Sequence, residues 1–125
     1  MNLTDLMHAR YAEGGRGPDA YDCFGFFCEL CRRRGQTVLD EITPAGVQAC
    51  EAAILGAISG GWVRLARPAP GCAVALRIGR YVTHLGMVLE DGVSFLHMSD
   101  NAGPCLARID DLRWKRRIEG FYAQR

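Results

Sequence analysis

"YDCFGFFCELCRRRG", residues 21–35, places three of the chain's six cysteines within nine positions. The fold turns on whether this stretch is a ligand loop or a helix. The spacing Cys23-x4-Cys28-x2-Cys31 matches the first three cysteines of a plant-type iron–sulfur loop. Such ligands need irregular backbone wrapped around the cluster. This segment instead has the pattern of a helix that starts near Cys23, with Asp22 or its neighbour as cap and Gly35 as stop. Phe24, Phe27, Cys28 and Cys31 fall at i, i+3, i+4 and i+7, which is a buried stripe in which cysteine serves as a small hydrophobe. A thioredoxin-like use of Cys28-x2-Cys31 needs its first thiol at a helix N-terminus, and Cys28 lies well inside the helix. A helix apolar nearly all round belongs in the middle of a domain.

The rest of the chain follows from that helix. Residues 3–10 are expected to form a short helix opened by Asn2 or Thr4. "AEGGRGPDA" (12–20) is a loop, because its glycines and proline cannot hold regular structure. A further helix is expected from "ITPAG", with Thr43 as cap, Pro44 in the first turn, and Val47, Cys50, Ile54 and Ile58 on one face until "GGW". After "RPAPG" the period changes: "CAVALRI", "THLGMVLE", "VSFLHMS" and "CLARID" are short, β-rich and turn-bounded, and "EDG" closes a hairpin. "DDLRWKRR" reads as one more helical turn before "IEGFY" as a last strand. Helices first and strands afterwards predict an α+β fold, with an antiparallel sheet packed on the central helix. The whole chain, residues 1–125, is expected to be one domain.

A net charge of +1 gives no electrostatic reason to expect nucleic acid or a membrane surface as partner. The basic run "RWKRR" reads as a solvated helix face with Trp114 packed inward. "MNLTDLMHARYAEGG" has no basic-then-apolar leader, and the weakly polar run "VQACEAAILGAISGGWV" contains Gln48 and Glu51 and is glycine-broken, so cytoplasmic synthesis and no bilayer span are expected. In a reducing compartment the cysteines are free thiols, ligands or a nucleophile.

Cys23 stands apart by position. At a helix N-terminus a thiol can be pulled from ~8.5 to roughly 3.5–7.5, and the same N–H groups can hold a developing oxyanion. It needs a base. His8 reads as surface. His84 and His97 lie on strands that the "EDG" hairpin makes neighbours. Either histidine alone reads as partly buried and structural, as do Cys50, Cys72 and Cys105. Taken together, a helix-terminal cysteine and two adjoining histidines have the nucleophile–base–orienter logic of thiol hydrolases.

"DCFG" opening a central helix, followed by "THLGMVLEDGVSFLH", resembles the NlpC family of papain-like cell-wall cysteine peptidases. "RYAEGGRGPDAYDC" is similar to that family's Tyr-x-x-Gly-Gly segment, and "PAPGCAVAL" to its Pro-Gly-Asp strand, so the resemblance covers residues 9–98. It implies a papain-like fold with Cys23 as nucleophile, His84 as base and His97 as third member. It also implies that Asp22 holds the substrate's free amine and that Tyr11 lines the site. The implied reaction is hydrolysis of an amide in the peptidoglycan stem peptide, between γ-D-glutamate and diaminopimelate, with no metal or cofactor. Phe24 stands where the family has serine, and Cys72 where aspartate is common. With no leader visible and the ending "WKRRIEGFY", the chain looks most like versions encoded by phages and prophages. Tail-assembly proteins are then further partners, and the chain would be virion-associated and act in the cell wall. Two alternatives remain open: a non-catalytic tail component that keeps the fold, and a thiol amidase or acyltransferase acting on another substrate.

Overall fold

Residues 2–37 and 44–125 are described in a computed structural model of the chain. The segment 21–35 is a helix. Helix α1 spans Cys23–Arg33, and the Asp22 side chain caps it by accepting the Gly25 N–H at 2.7 Å. At the other end Gly35 has a φ of +73°, and Gln36 N–H donates to Cys31 O at 2.9 Å. Only a residue at ease in the left-handed region closes a helix in this way.

The first helix expected at 3–10 is a single 3-10 turn, Leu6–His8, preceded by Asp5. Asn2 does act as an acceptor, but its Oδ1 takes the Thr4 N–H at 2.9 Å, before the turn begins. The loop at 12–20 separates two-residue strands, β1 (Arg10–Tyr11) and β2 (Ala20–Tyr21), which pair in parallel. Helix α2 runs Val47–Gly61 from Gly46, which has no capping side chain, so Pro44 precedes the helix instead of entering its first turn. The expected cap, Thr43, lies outside the described residues. Ile54 and Ile58 are buried as the stripe predicts, but Val47 is exposed because the first turn of α2 overhangs a cavity and not the core.

The remaining strands are β3 (Trp62–Leu65), β4 (Ala73–Ile78), β5 (Tyr81–Val88), β6 (Ser94–Ser99), β7 (Gly103–Arg108) and β8 (Ile118–Gln124), with the one-turn helix α3 (Leu112–Lys115) before β8. Six strands form one antiparallel sheet in the order β3-β8-β4-β5-β6-β7. Strand β3 escapes a sequence reading because Val63 and Arg64 are both exposed on an edge, which leaves no buried alternation to detect.

Alternation along the strands gives the sheet two apolar faces. Leu85, Met87, Leu96 and Met98 meet Phe26 and Leu30 of α1 on one face. Val74, Leu76, Val88 and Phe95 form the other, which is covered by Trp114 and Phe121. Complete burial of Phe26 and Leu30 contributes about 1.5–3 kcal/mol each. Thus α1 is the central helix of an α+β fold, and its first residue is Cys23.

Candidate active site

The N-terminus of α1 is held in place by a glycine contact and a carboxylate. A Cβ on Gly25 would lie 2.2 Å from Gly15 O, so the helix start and the Gly-Gly loop can approach this closely only without that side chain. Asp22 N–H donates to Gly15 O at 3.2 Å, and Arg16 Nη1 lies 2.8 Å from Asp22 Oδ1. Arg16 also sits 5.6 Å over the Phe24 ring. Asp22, buried in the helix cap, therefore binds the Gly25 N–H and the Arg16 guanidinium at once. The amides of Cys23 and Phe24 precede the first intrahelical bond, Phe26 N–H to Asp22 O, so the helix provides them no acceptor.

Half-buried Cys23 opens onto a cavity of about 330 Å³ between α1, α2 and β5. Tyr11, Glu13, Asp22, Phe24, Cys50 and Thr83 are among its walls. Tyr11 is brought to Cys23 by its pairing with Tyr21 just ahead of α1. Its phenol is pushed up from 10.0, by burial first and then by the thiol and Asp22. Cys50, expected to be core filler, is half-buried on this cavity with its thiol 3.1 Å from Pro44 O. Cys28, Cys31 and Cys72 are core residues as expected; Cys72 accepts the Ala69 N–H at 3.4 Å and lies in the second apolar face. His8 is exposed.

The histidines come together. His84 Nε2 lies 2.8 Å from His97 Nδ1. Strands β5 and β6 pair only at Met87↔Leu96 and Val88↔Phe95, so they part toward the two histidines, and the imidazole–imidazole bond bridges the gap. Both rings lie on the face opposite α1: His84 pairs with Leu76 across β4, and Trp114 and Phe95 pack against the rings. Cys23 meets β5 at the same place, with its Sγ 3.7 Å from the carbonyl of Thr83, the residue before His84. No hydrogen bond joins Cys23 to either imidazole. His84 Nδ1 has no hydrogen-bond partner among the described residues.

The electrostatics correct one expectation. The helix terminus was expected to lower the Cys23 thiol, but it is pushed up to about 12. Burial dominates, Asp22 and Cys50 add to it, and hydrogen bonds from the Leu85 and Phe24 backbone oppose it less strongly. Burial also pushes His84 down to about 3, with His97 adding, and His97 down to about 4. At neutral pH the resting groups are therefore a neutral thiol and neutral imidazoles.

A cysteine at the head of a central helix, laid on an antiparallel sheet that carries paired histidines, defines the papain-like α+β class. No family profile and no curated protein matches the sequence. Among solved structures, NlpC1 from Trichomonas vaginalis superposes with a TM-score of 0.69 at 20% identity, over 98% of this chain and 42% of that one. An NLP/P60-family lipoprotein-like protein from Staphylococcus aureus gives 0.62 at 19% identity, over 98% and 38% of the two chains. The NlpC/p60 domain of the peptidoglycan hydrolase SagA gives 0.59 at 14% identity, over 98% and 92%. The chain thus spans under half the length of the first two and nearly all of the third. It has the papain-like fold seen in NlpC/P60 proteins.

Proposed function

We propose that this chain is a cysteine peptidase that hydrolyses an amide in peptidoglycan stem peptides, between γ-D-glutamate and diaminopimelate, as part of a phage or prophage tail. One observation carries the reading: the Cys23 thiol lies in a cavity against the backbone next to His84, whose Nε2 is bound by His97. With Nε2 held, Nδ1 is the free nitrogen of His84, and because the ring lies on the face opposite α1 it takes the thiol proton only once the ring swings toward Cys23. Because thiol and imidazole are both neutral at rest, the proton moves as the bond forms. Cys23 Sγ attacks the amide carbonyl, His84 takes its proton, and the Cys23 and Phe24 amides face the oxyanion. His84 then protonates the leaving amine, water deprotonated by His84 attacks the thioester and releases the acid, and His84 returns that proton to the Cys23 sulfur. Asp22 and Tyr11 line the cavity where the substrate's free amine would bind. The action in the wall and the tail-assembly partners belong to this proposal.

The test is digestion of purified cell wall with mass spectrometry of the released stem peptides. Wild type should generate a new amine at the diaminopimelate, and Cys23→Ala, with its melting curve preserved, should generate none. Release of peptides by a folded Cys23→Ala overturns the assignment. Fragments cut at another amide or at an ester would indicate a different substrate on the same site.

One observation favours a second reading, a non-catalytic tail component that keeps the fold: Cys23 makes no bond to an imidazole and its thiol is held protonated. Under that reading the wild-type protein cuts nothing.

A further inference from the structure

Trp114 is the residue of the basic run "RWKRR" that faces the site. Its indole lies 6.1 Å from the His84 ring at 17°, a stack, and 4.9 Å from the His97 ring at 71°. One side chain thus covers both imidazoles on the face opposite the Cys23 helix, with Phe95 edge-on at 5.9 Å completing the cover. We propose that Trp114 is a positioning residue for the histidine pair: on the face opposite the Cys23 helix its indole fixes the His84 ring plane and keeps water from the imidazole–imidazole bond. The peptidase reading enters only in making His84 its base.

The half-buried indole is held by its own turn and by the arginine beside it. Asp111 caps α3 by accepting the Arg113 N–H at 2.8 Å, and Trp114 N–H donates to Asp111 O at 3.0 Å. The turn is fastened to the sheet, since Arg77 N–H of β4 donates to Arg117 O at 2.7 Å. The Arg117 guanidinium lies 5.5 Å from the indole, so this part of the basic run clamps the tryptophan. An imidazole open to water can turn about its terminal torsion and satisfy either nitrogen with solvent, because that torsion is broad. A stacked indole blocks the turn and leaves the His97 nitrogen as the partner for Nε2. The groups facing the pair are Leu76 from β4, Cys105 opposite His97 on β7, and Trp114 backed by Arg117. None of them is a carboxylate, so nothing there favours an imidazolium.

The experiment is nitrogen-15 NMR of the histidine rings in wild type, Trp114→Leu and Trp114→Phe. In wild type both rings should stay neutral well below the ordinary 6.5, in one tautomer, with a slowly exchanging ring N–H between them. Trp114→Leu keeps apolar bulk but no ring to stack. It should titrate at least tenfold more readily and lose the slow N–H. Trp114→Phe should restore most of both. A folded Trp114→Leu with the wild-type titration, tautomer and slow N–H overturns the proposal. If the leucine variant does not fold, Trp114→Met, which also has no ring to stack, decides: a raised titration and a lost slow N–H support the role, and the wild-type titration and N–H overturn it. The NMR readout needs no turnover, so absence of cleavage by wild type would end the peptidase reading without deciding this one.

Discussion

His84 Nε2 and His97 Nδ1 are 2.8 Å apart, on strands that have ceased to pair with each other at that point. The bond therefore does the work of a missing ladder rung, and it does so between two side chains that can each take up a proton. Geometry and charge are coupled there: a proton on the accepting nitrogen breaks the bond that orients the ring.

Acid should consequently destabilise the protein through this pair. Folded His84 and His97 titrate at about 3 and about 4, below the ordinary 6.5. Unfolding in the interval takes up protons, so the stability from the neutral pair is complete above about 6.5 and is lost as pH falls toward 4 and 3. Each tenfold change in proton affinity carries about 1.4 kcal/mol, so the loss is of the order of a few kcal/mol. The melting temperature should be level from pH 7 to 8 and should drop steeply by pH 4.5. His84→Gln combined with His97→Asn should flatten that slope, and an unchanged slope would place the acid sensitivity elsewhere.

The thiol gives the mirror image. Burial first, and then Asp22, push Cys23 up to about 12, so it is protonated throughout the neutral range. Iodoacetamide should label Cys23 slowly at pH 7, and its rate should climb through pH 9 with no plateau. Half-buried Cys105 is the internal reference. A Cys23 rate that is already maximal at pH 7 would reveal a thiolate–imidazolium pair at rest, and the proton would then move before the attack.

Much of this was legible in residues 21–35 and in the β-rich second half, because apolar spacing and punctuation by glycine report burial directly. Asp22 as cap, Gly35 as stop, the strands carrying His84 and His97, and Trp114 facing inward could all be read this way. Other features depend on tertiary contact. Nothing local tells that burial outweighs the helix terminus at Cys23, that α2 starts at Val47 and leaves Cys50 on the cavity, or that the rings of His84 and His97 point away from α1. The β4–β5 register shifts just past the Leu76↔His84 pair and puts Val82 in the α1-side core, and a one-residue shift of this kind leaves no mark on the apolar pattern.

Gly25→Ala tests how the site is built. The new Cβ would meet Gly15 O at 2.2 Å, and that oxygen already accepts from Asp22 N–H and Arg16 Nη1. Backbone cannot give way as a flexible side chain can, so the loop must move off the helix. The cost should be about 1–3 kcal/mol, and the shift should carry Tyr11 away from Cys23. Thermal denaturation reads the first effect. Tyr11, whose phenol is raised chiefly by burial, reads the second through a lower phenol titration. An unchanged melting point would show that the loop is not fixed by this contact.

Asp22 has two separable duties, and two substitutions divide them. Asn keeps an oxygen for the Gly25 N–H but removes the charge facing Arg16, whereas Ala removes both. Loss of a capping side chain costs about 0.5–2 kcal/mol. Asp22→Ala should therefore be less stable than Asp22→Asn by about that amount, measured by denaturant unfolding at pH 7. The charge has a second reader, since the Asp22 carboxylate is the largest electrostatic contribution holding the Cys23 thiol up. Both variants should alkylate at Cys23 faster than wild type at the same pH, and by similar factors, because both lack the carboxylate. If Asp22→Asn instead alkylates at the wild-type rate, burial alone sets the thiol, and the aspartate before the cysteine serves the helix and the substrate only.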